Sequence, residues 1–433
     1  MKNKYDKWLA HEMETWEKIG LADTDTIEKI TTYYTAKEEN EPSKLGAILG
    51  ILGTILIGLG IILILAKNWD YFPRGSKVVI SLVPFLIGSF VGMFVIKKSH
   101  SGWIKEATAI FTTLGIVTAV VMSGQIYHVM APDWVLLFII TLLTLPLIYL
   151  YDSTLTLAAY LAIGSICMFT TDLADLWIKL VLGIVIIGAS MPYVIRRFKK
   201  DKLSFETGWC NAFEALAGFA FITSLIYNGV LLRELYIAYF ILLVAIDTLL
   251  YEETLSFTMR PFAIVGNIGL YITLFIFTFS EFWRYVDTRN VNLEYMVIIT
   301  ILLGVAIAII LRLIKVKRDF TKRLFIYLAV VFMIIAFRLL GLFGDEPSVV
   351  LTVLLNAFFI LLAIMTLREG ITYRSISRMN IGLILLAAIT LARFFDSEFS
   401  FLVKGIVFII CGVIFLLANS YLAKKRKKEI THV

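Results

Sequence analysis

LGAILGILGTILIGLGIILILAKNWD, residues 45–70, decides the fold class of this chain. Its first part, Leu45 to Ala66, runs for about 22 residues without a charge, enough to cross a hydrocarbon layer of about 30 Å as a helix. It stops at Lys67-Asn68-Trp69-Asp70, a polar and aromatic ending of the kind that sits at a membrane interface. A charged segment precedes it, and the chain after it is almost entirely apolar.

Composition points the same way. The 433 residues are 59% hydrophobic and 17% charged, with a mean hydropathy of +0.86. Ordinary globular proteins carry about 25% charged residues, and a soluble domain cannot cover such a surplus of apolar surface. A bundle of spanning helices can, because lipid is its solvent and each helix satisfies its own backbone. The expected class is all-α: a polytopic transmembrane helix bundle of about 14 spans, with a short N-terminal soluble helical hairpin. The apolar runs are 45–66, 78–96, 106–127, 134–151, 153–170, 176–195, 211–230, 232–250, 261–280, 294–314, 323–341, 348–367, 379–395 and 400–421.

The expected domains are a cytoplasmic helical hairpin over 1–44, a transmembrane bundle over 45–421 and a basic cytoplasmic tail over 422–433. In the first segment Tyr5, Trp8, Leu9, Met13, Trp16 and Ile19 recur at helical spacing. Gly20 is placed as a C-terminal cap, and Asp25-Thr26-Ile27-Glu28 reads as a capping box that opens a second helix. No cleavable signal peptide is read there, so the first span is expected to direct insertion.

A net charge of +7 would suggest nucleic acid in a soluble protein. Here the cations gather in loops on one side. Those loops hold Lys97, Lys98 and Lys105, then Arg196, Arg197, Lys199, Lys200 and Lys202, and the tail holds Lys424 to Lys428. The opposite loops hold Lys67, Arg74, Lys77, Arg233, Arg284 and Arg289. This is the positive-inside asymmetry. It predicts a multi-pass protein of the plasma (inner) membrane with both termini cytoplasmic. The expected partners are the lipid bilayer and a protein docking on the N-terminal hairpin, not nucleic acid.

Chemical signatures are sparse. Cys167, Cys210 and Cys411 lie far apart and form neither a CxxC nor a Cys/His cluster. No phosphate loop, dinucleotide-binding glycine motif, GxSxG or HExxH occurs. No hydrophilic loop is long enough for a separate catalytic domain, so no cofactor or metal is expected and an enzyme is disfavoured. The glycines of the first span, with a GxxxG at Gly46 and Gly50, suit close helix packing.

Polar residues at the span ends define two candidate groups. On the outer face stand Asn68, Trp69 and Asp70 after the first span, and Gln125, Tyr127 and His128 after the third. Arg338, Arg393 and Lys404 lie near the same level. Interface anchoring and snorkelling is the plain reading of this group. A cationic outer vestibule for an anionic headgroup or solute is the sharper one. On the inner side, Glu214 and Asp247 sit at similar depth on neighbouring spans, with Arg260 near. They read either as a structural pair or as a proton-coupling site. Asn267 and Asn356 lie mid-span and are expected to bond across helices.

A short Trp-containing helical segment, a glycine-rich first span ending in AKNWD, a later QIYH and then WVLLFIITLLTLPLIYLYDS occur in this order. Over residues 5–155 the chain resembles a family of bacterial multi-spanning membrane proteins of unknown function. The resemblance implies a membrane location and draws attention to Trp16, Gly20, Asn68, Trp69, Gln125, Tyr127 and His128. It implies no activity.

Three functions compete. Many spans, short loops and charges near both faces suit a secondary transporter or flippase-like protein for an anionic or lipid-type substrate. A membrane enzyme would use His128 and Asp70 as an acid–base pair at an outer-face site. A non-catalytic envelope scaffold or sensor would use the hairpin as its docking module.

Overall fold

The computed structural model describes residues 69–98, 102–170, 176–225, 232–252, 259–279, 281–284, 293–315, 321–339, 349–373 and 375–395, with scattered positions elsewhere. The first and last expected spans, and most of the hairpin, lie outside the described residues. The chain divides into two units, Met1–Lys77 and Val78–Val433.

In the first unit Gly20 takes a left-handed φ of +70°, as a helix C-terminal cap requires. The next cap differs from expectation. The Thr26 amide donates to Asp23 Oδ1 at 3.2 Å, so Asp23 does the capping. An N-cap side chain accepts from the amide two or three residues on, and Asp23 stands three before Thr26. Asp25 instead lies inside the turn and pairs with Lys29 at 2.5 Å. The Thr26 hydroxyl and then its amide hold the Asp23 carboxyl below its ordinary range. Further along, a 3-10 turn, Trp69–Tyr71, is closed by the Phe72 amide on Trp69 O.

The remaining elements are helices: α1 Arg74–Lys97, α2 Gly102–Ile126, α3 Asp133–Tyr151, α4 Thr154–Thr170, α5 Leu176–Lys200, α6 Phe205–Ser224, α7 Leu232–Leu250, α8 Pro261–Phe277, α9 Glu281–Arg284, α10 Leu293–Lys315, α11 Thr321–Leu339, α12 Val349–Thr372 and α13 Ile376–Phe395. Each expected span from 78–96 to 379–395 falls on one helix. Among the described residues, seven helices are long and apolar enough to cross a membrane by themselves: α1, α2, α3, α5, α10, α12 and α13. α4 and α8 are apolar but only 17 residues long. The result is an all-α bundle of membrane type.

Two boundaries move. α5 continues through Arg196-Arg197-Phe198-Lys199-Lys200, and α6 starts at Phe205, so the expected 196–210 loop shrinks to residues 201–204. Long basic side chains keep their heads in water while their stems cover apolar surface, which lets a helix run past the apolar layer. Ser204 then accepts the Thr207 amide at 3.2 Å and fixes the start of α6.

Polar residues inside the helices are satisfied locally. The hydroxyls of Thr108, Thr112, Thr113, Thr141 and Thr144 each donate to the carbonyl four residues back. Without water, such back-bonding is the least costly outlet for a hydroxyl. The amides meet the expectation of cross-helix bonding. Asn267 in α8 accepts from Tyr327 of α11 at 3.3 Å, and Asn356 in α12 donates to Thr278 O at 3.0 Å.

Two cores organise the second unit. In the first, α4 is central: Leu157, Tyr160, Leu161 and Met168 pack with Ile148 of α3, Ile186 and Tyr193 of α5, and Cys210 of α6. In the second, α7 is central and buries Leu235, Ile237, Ala238, Phe240, Ile241 and Val244, with α8, α10, α11, α12 and α13 contributing. A helix buried on all sides is the mark of a bundle interior. Leu86, Phe90, Leu114, Ile184, Ile301 and Val353 face outward. Such a surface is at home in lipid and not in water. Glycine sets the closest helix approaches: a Cβ on Gly115 would stand 2.6 Å from the Phe85 backbone.

Candidate functional site

A band of polar contacts runs across one end of the second unit, where α3, α5 and α7 finish and α4, α6 and α8 begin. Its first member is Glu106, near the start of α2. Glu106 Oε1 accepts the Thr154 amide at 2.7 Å, and Oε2 accepts the Leu155 amide at 3.0 Å and the Ser153 hydroxyl. The first amides of a helix have no partner within it, and its dipole favours a negative charge there. Glu106 therefore caps α4 from a different helix.

The next member is Asp152, the one residue between α3 and Ser153. It takes φ +53°, and both its own amide and that of Ser153 return to Ile148 O. This left-handed cap reverses the chain and turns Asp152 toward α5. Arg197 donates to Asp152 O at 2.5 Å, sits 3.3 Å from its carboxylate, donates to Tyr193 Oη at 3.1 Å and also pairs with Glu206 of α6. One partly buried guanidinium thus ties α3, α5 and α6 together. Farther along, Lys202 donates to Leu250 O and lies 5.0 Å from the Tyr251 ring centroid. Asn211 donates to Tyr251 Oη at 3.1 Å.

Asp247 closes the band. Its Oδ2 accepts Nε of Arg260 at 2.8 Å together with a second guanidinium N–H, and its Oδ1 accepts the Ala263 amide at 3.1 Å. Asp247 thereby caps α8 much as Glu106 caps α4. Glu214 is engaged elsewhere. Ser190 of α5 donates to its Oε1 at 2.6 Å, while its Oε2 is buried without a hydrogen-bond partner. Glu214 and Asp247 are thus not bonded to each other: each has its own partner.

The outer candidates are more dispersed. Asn68 and Lys404 lie outside the described residues, as does the side chain of Arg338. Trp69 and Asp70 form the 3-10 turn of the first unit, with the Lys77 ammonium 5.4 Å from the Trp69 ring centroid. In the second unit Gln125, Tyr127 and His128 are exposed at the end of α2. His128 has φ +50°. Its amide returns to Gln125 O at 3.3 Å, and that of Val129 returns to Gly124 O at 3.0 Å. This is a Schellman cap with His128 in the position usually held by glycine. Arg393 is buried. It donates to Thr278 Oγ1 at 3.1 Å and stacks 4.6 Å from the Phe279 ring centroid, at the end of α8.

Sequence reading passed over Glu106, Asp152, Arg197 and Ser190 as site members. One signal was available: Ser153-x-x-Thr156 after an aromatic span end is a helix start that needs an acceptor, and Glu106 heads the adjacent span. Buried Lys179, which donates to Ser224 O at 3.1 Å, gave no such signal. Among the described residues no group of His, Cys, Asp and Glu stands close enough to hold a metal ion.

Residues 14–157 match the model of a family described as a predicted membrane protein (DUF2157). The match takes in Glu106, the QIYH ending and the Asp152–Ser153 corner, and the family's function is unknown. No curated protein and no solved structure matches the chain. Together with the apolar helices, the match identifies a membrane protein with several spanning helices.

Proposed function

We propose that this protein is a secondary transporter or flippase-like protein for an anionic or lipid-type substrate, with Glu214 as the residue that takes up and releases a proton. The observation that carries this reading is the half-satisfied Glu214 carboxylate, only 6% exposed among α4, α5 and α6. Glu106 and Asp247 use both of their carboxylate oxygens, whereas Glu214 uses one. An ionised Oε2 without a donor is far more costly away from water than a protonated one. The nearby phenols offer no donor, because Tyr160 Oη gives its proton to Ile186 O and Tyr239 Oη to Ala215 O. Our reading places the protein in the plasma membrane with about 14 spans, both termini cytoplasmic and the N-terminal hairpin as the docking site for a protein partner.

The test begins with an untargeted comparison of lipids and metabolites in cells with and without the gene, which supplies the substrate. Movement of that substrate in proteoliposomes is then followed under an imposed proton gradient. Wild type should respond to the gradient. Glu214→Gln, which keeps the shape and the Ser190 bond, should lose the response at unchanged membrane abundance. A Gln variant that still follows the gradient overturns the assignment.

A further inference from the structure

The polar band contains an open cleft of about 350 Å³ lined by Tyr149, Asp152, Arg196, Arg197 and Lys200. Its cations are not equivalent. Arg197 is committed to Asp152, Tyr193 and Glu206, and its side chain is only 12% exposed. Arg196 is 57% exposed and touches the Asp152 carboxylate at 3.4 Å, the outer limit of a hydrogen bond. Lys200 is exposed one helical turn further on, so Arg196 and Lys200 share a face of α5. Asp152 is held in place by its left-handed cap and neutralises one cation, which leaves the cleft with a surplus of positive charge.

The walls suit a ligand with both charge and apolar character. Tyr149 gives its hydroxyl proton to Ala189 O at 2.6 Å and packs edge-on against Tyr193 at 5.9 Å, so it presents a fixed ring. The Arg196 guanidinium lies 5.6 Å from the Tyr193 ring centroid, which holds its donor plane at the mouth. A planar guanidinium and an ammonium one turn apart match the oxygens of a phosphate group. The cleft also lies at the polar end of apolar helices, the level at which lipid headgroups sit.

We propose that this cleft is a binding site for a phosphate group, carried by an anionic lipid headgroup or by a soluble phosphate. The assignment stands independently of the transport reading, because it requires neither Glu214 nor a proton gradient.

The experiment uses the full chain in phosphatidylcholine nanodiscs with and without phosphatidylglycerol, with retained lipid read by native mass spectrometry. A parallel titration with inorganic phosphate is made in the phosphatidylcholine discs. Arg196→Gln and Lys200→Gln, both at exposed positions, should each weaken binding about fivefold, and the double variant about 25-fold. Lys199→Gln, which does not line the cleft, should leave it unchanged. Loss of phosphatidylglycerol retention in the cleft variants supports a lipid headgroup. The same dependence for inorganic phosphate supports a soluble source. Failure to bind either probe overturns the proposal, as does equal sensitivity to Lys199→Gln and Lys200→Gln.

Discussion

Glu106 and Thr154 lie 48 residues apart in the chain, and the Thr154 amide donates to the Glu106 carboxylate at 2.7 Å. This contact makes the start of α4 depend on α2, and α4 is the centre of its core. Glu106→Ala leaves two helix amides and a hydroxyl without their charged acceptor. It should destabilise the folded protein by about 2–3 kcal/mol. Glu106→Gln keeps one acceptor oxygen and should cost less. Thermal unfolding of the purified variants in one detergent checks the order wild type, Gln, Ala.

The Asp247–Arg260 pair should show the behaviour of a buried ion pair. Asp247 is fully buried and Arg260 is 2% exposed. Arg260→Met takes the guanidinium away from the buried carboxylate, and Asp247→Leu takes the carboxylate away from the buried guanidinium. Each should lower stability by about 3–5 kcal/mol. The double variant should recover much of that loss, since neither charge then lacks a partner. A double-mutant cycle on unfolding measures the coupling, and strictly additive losses would contradict the pairing.

His128 occupies a left-handed position in which a side chain costs about 1–2 kcal/mol. His128→Gly should therefore raise the unfolding temperature, and His128→Val should lower it. The same pair of variants separates a cap from an acid–base group. A cap gains from glycine in every assay, whereas a proton-carrying imidazole loses activity when replaced by glycine despite the gain in stability.

The glycines predict opposite signs at two positions. A methyl group on Gly115 meets the backbone of Pro84 and Phe85, which cannot rotate away. Gly115→Ala should cost about 1–3 kcal/mol by forcing α1 and α2 apart. Gly208 has nothing within 4 Å of an added Cβ. Gly208→Ala should be neutral or gain up to about 1 kcal/mol from helix propensity. Thermal unfolding of the two variants side by side reads both signs.

Much of the architecture was legible because its cause is one-dimensional. A long apolar run favours a helix, so the positions of α1 to α8 and α10 to α13 follow from counting along the chain, although α5 runs on past its polar interruption to Lys200. The site was legible only in part. Asp247 and Arg260 stood out as charges near span ends, and they do meet. Glu214 stood out equally, but nothing in its spacing shows that Ser190 satisfies one oxygen and nothing the other. Glu106 looked like an ordinary interfacial charge because its partners are backbone amides, which every residue possesses.

The sequence alone determined that this is an all-α membrane protein and roughly where its long described helices run, since hydropathy and length act residue by residue. Only the tertiary structure decided which charges are bound and which are available. Asp152 faces Arg197 because a left-handed cap turns it there, and Arg196 and Lys200 line a cleft because α5 extends past the apolar layer beside that cap. Such contacts depend on helices placed side by side in space, and a pairwise distance between them has no signature in composition or period.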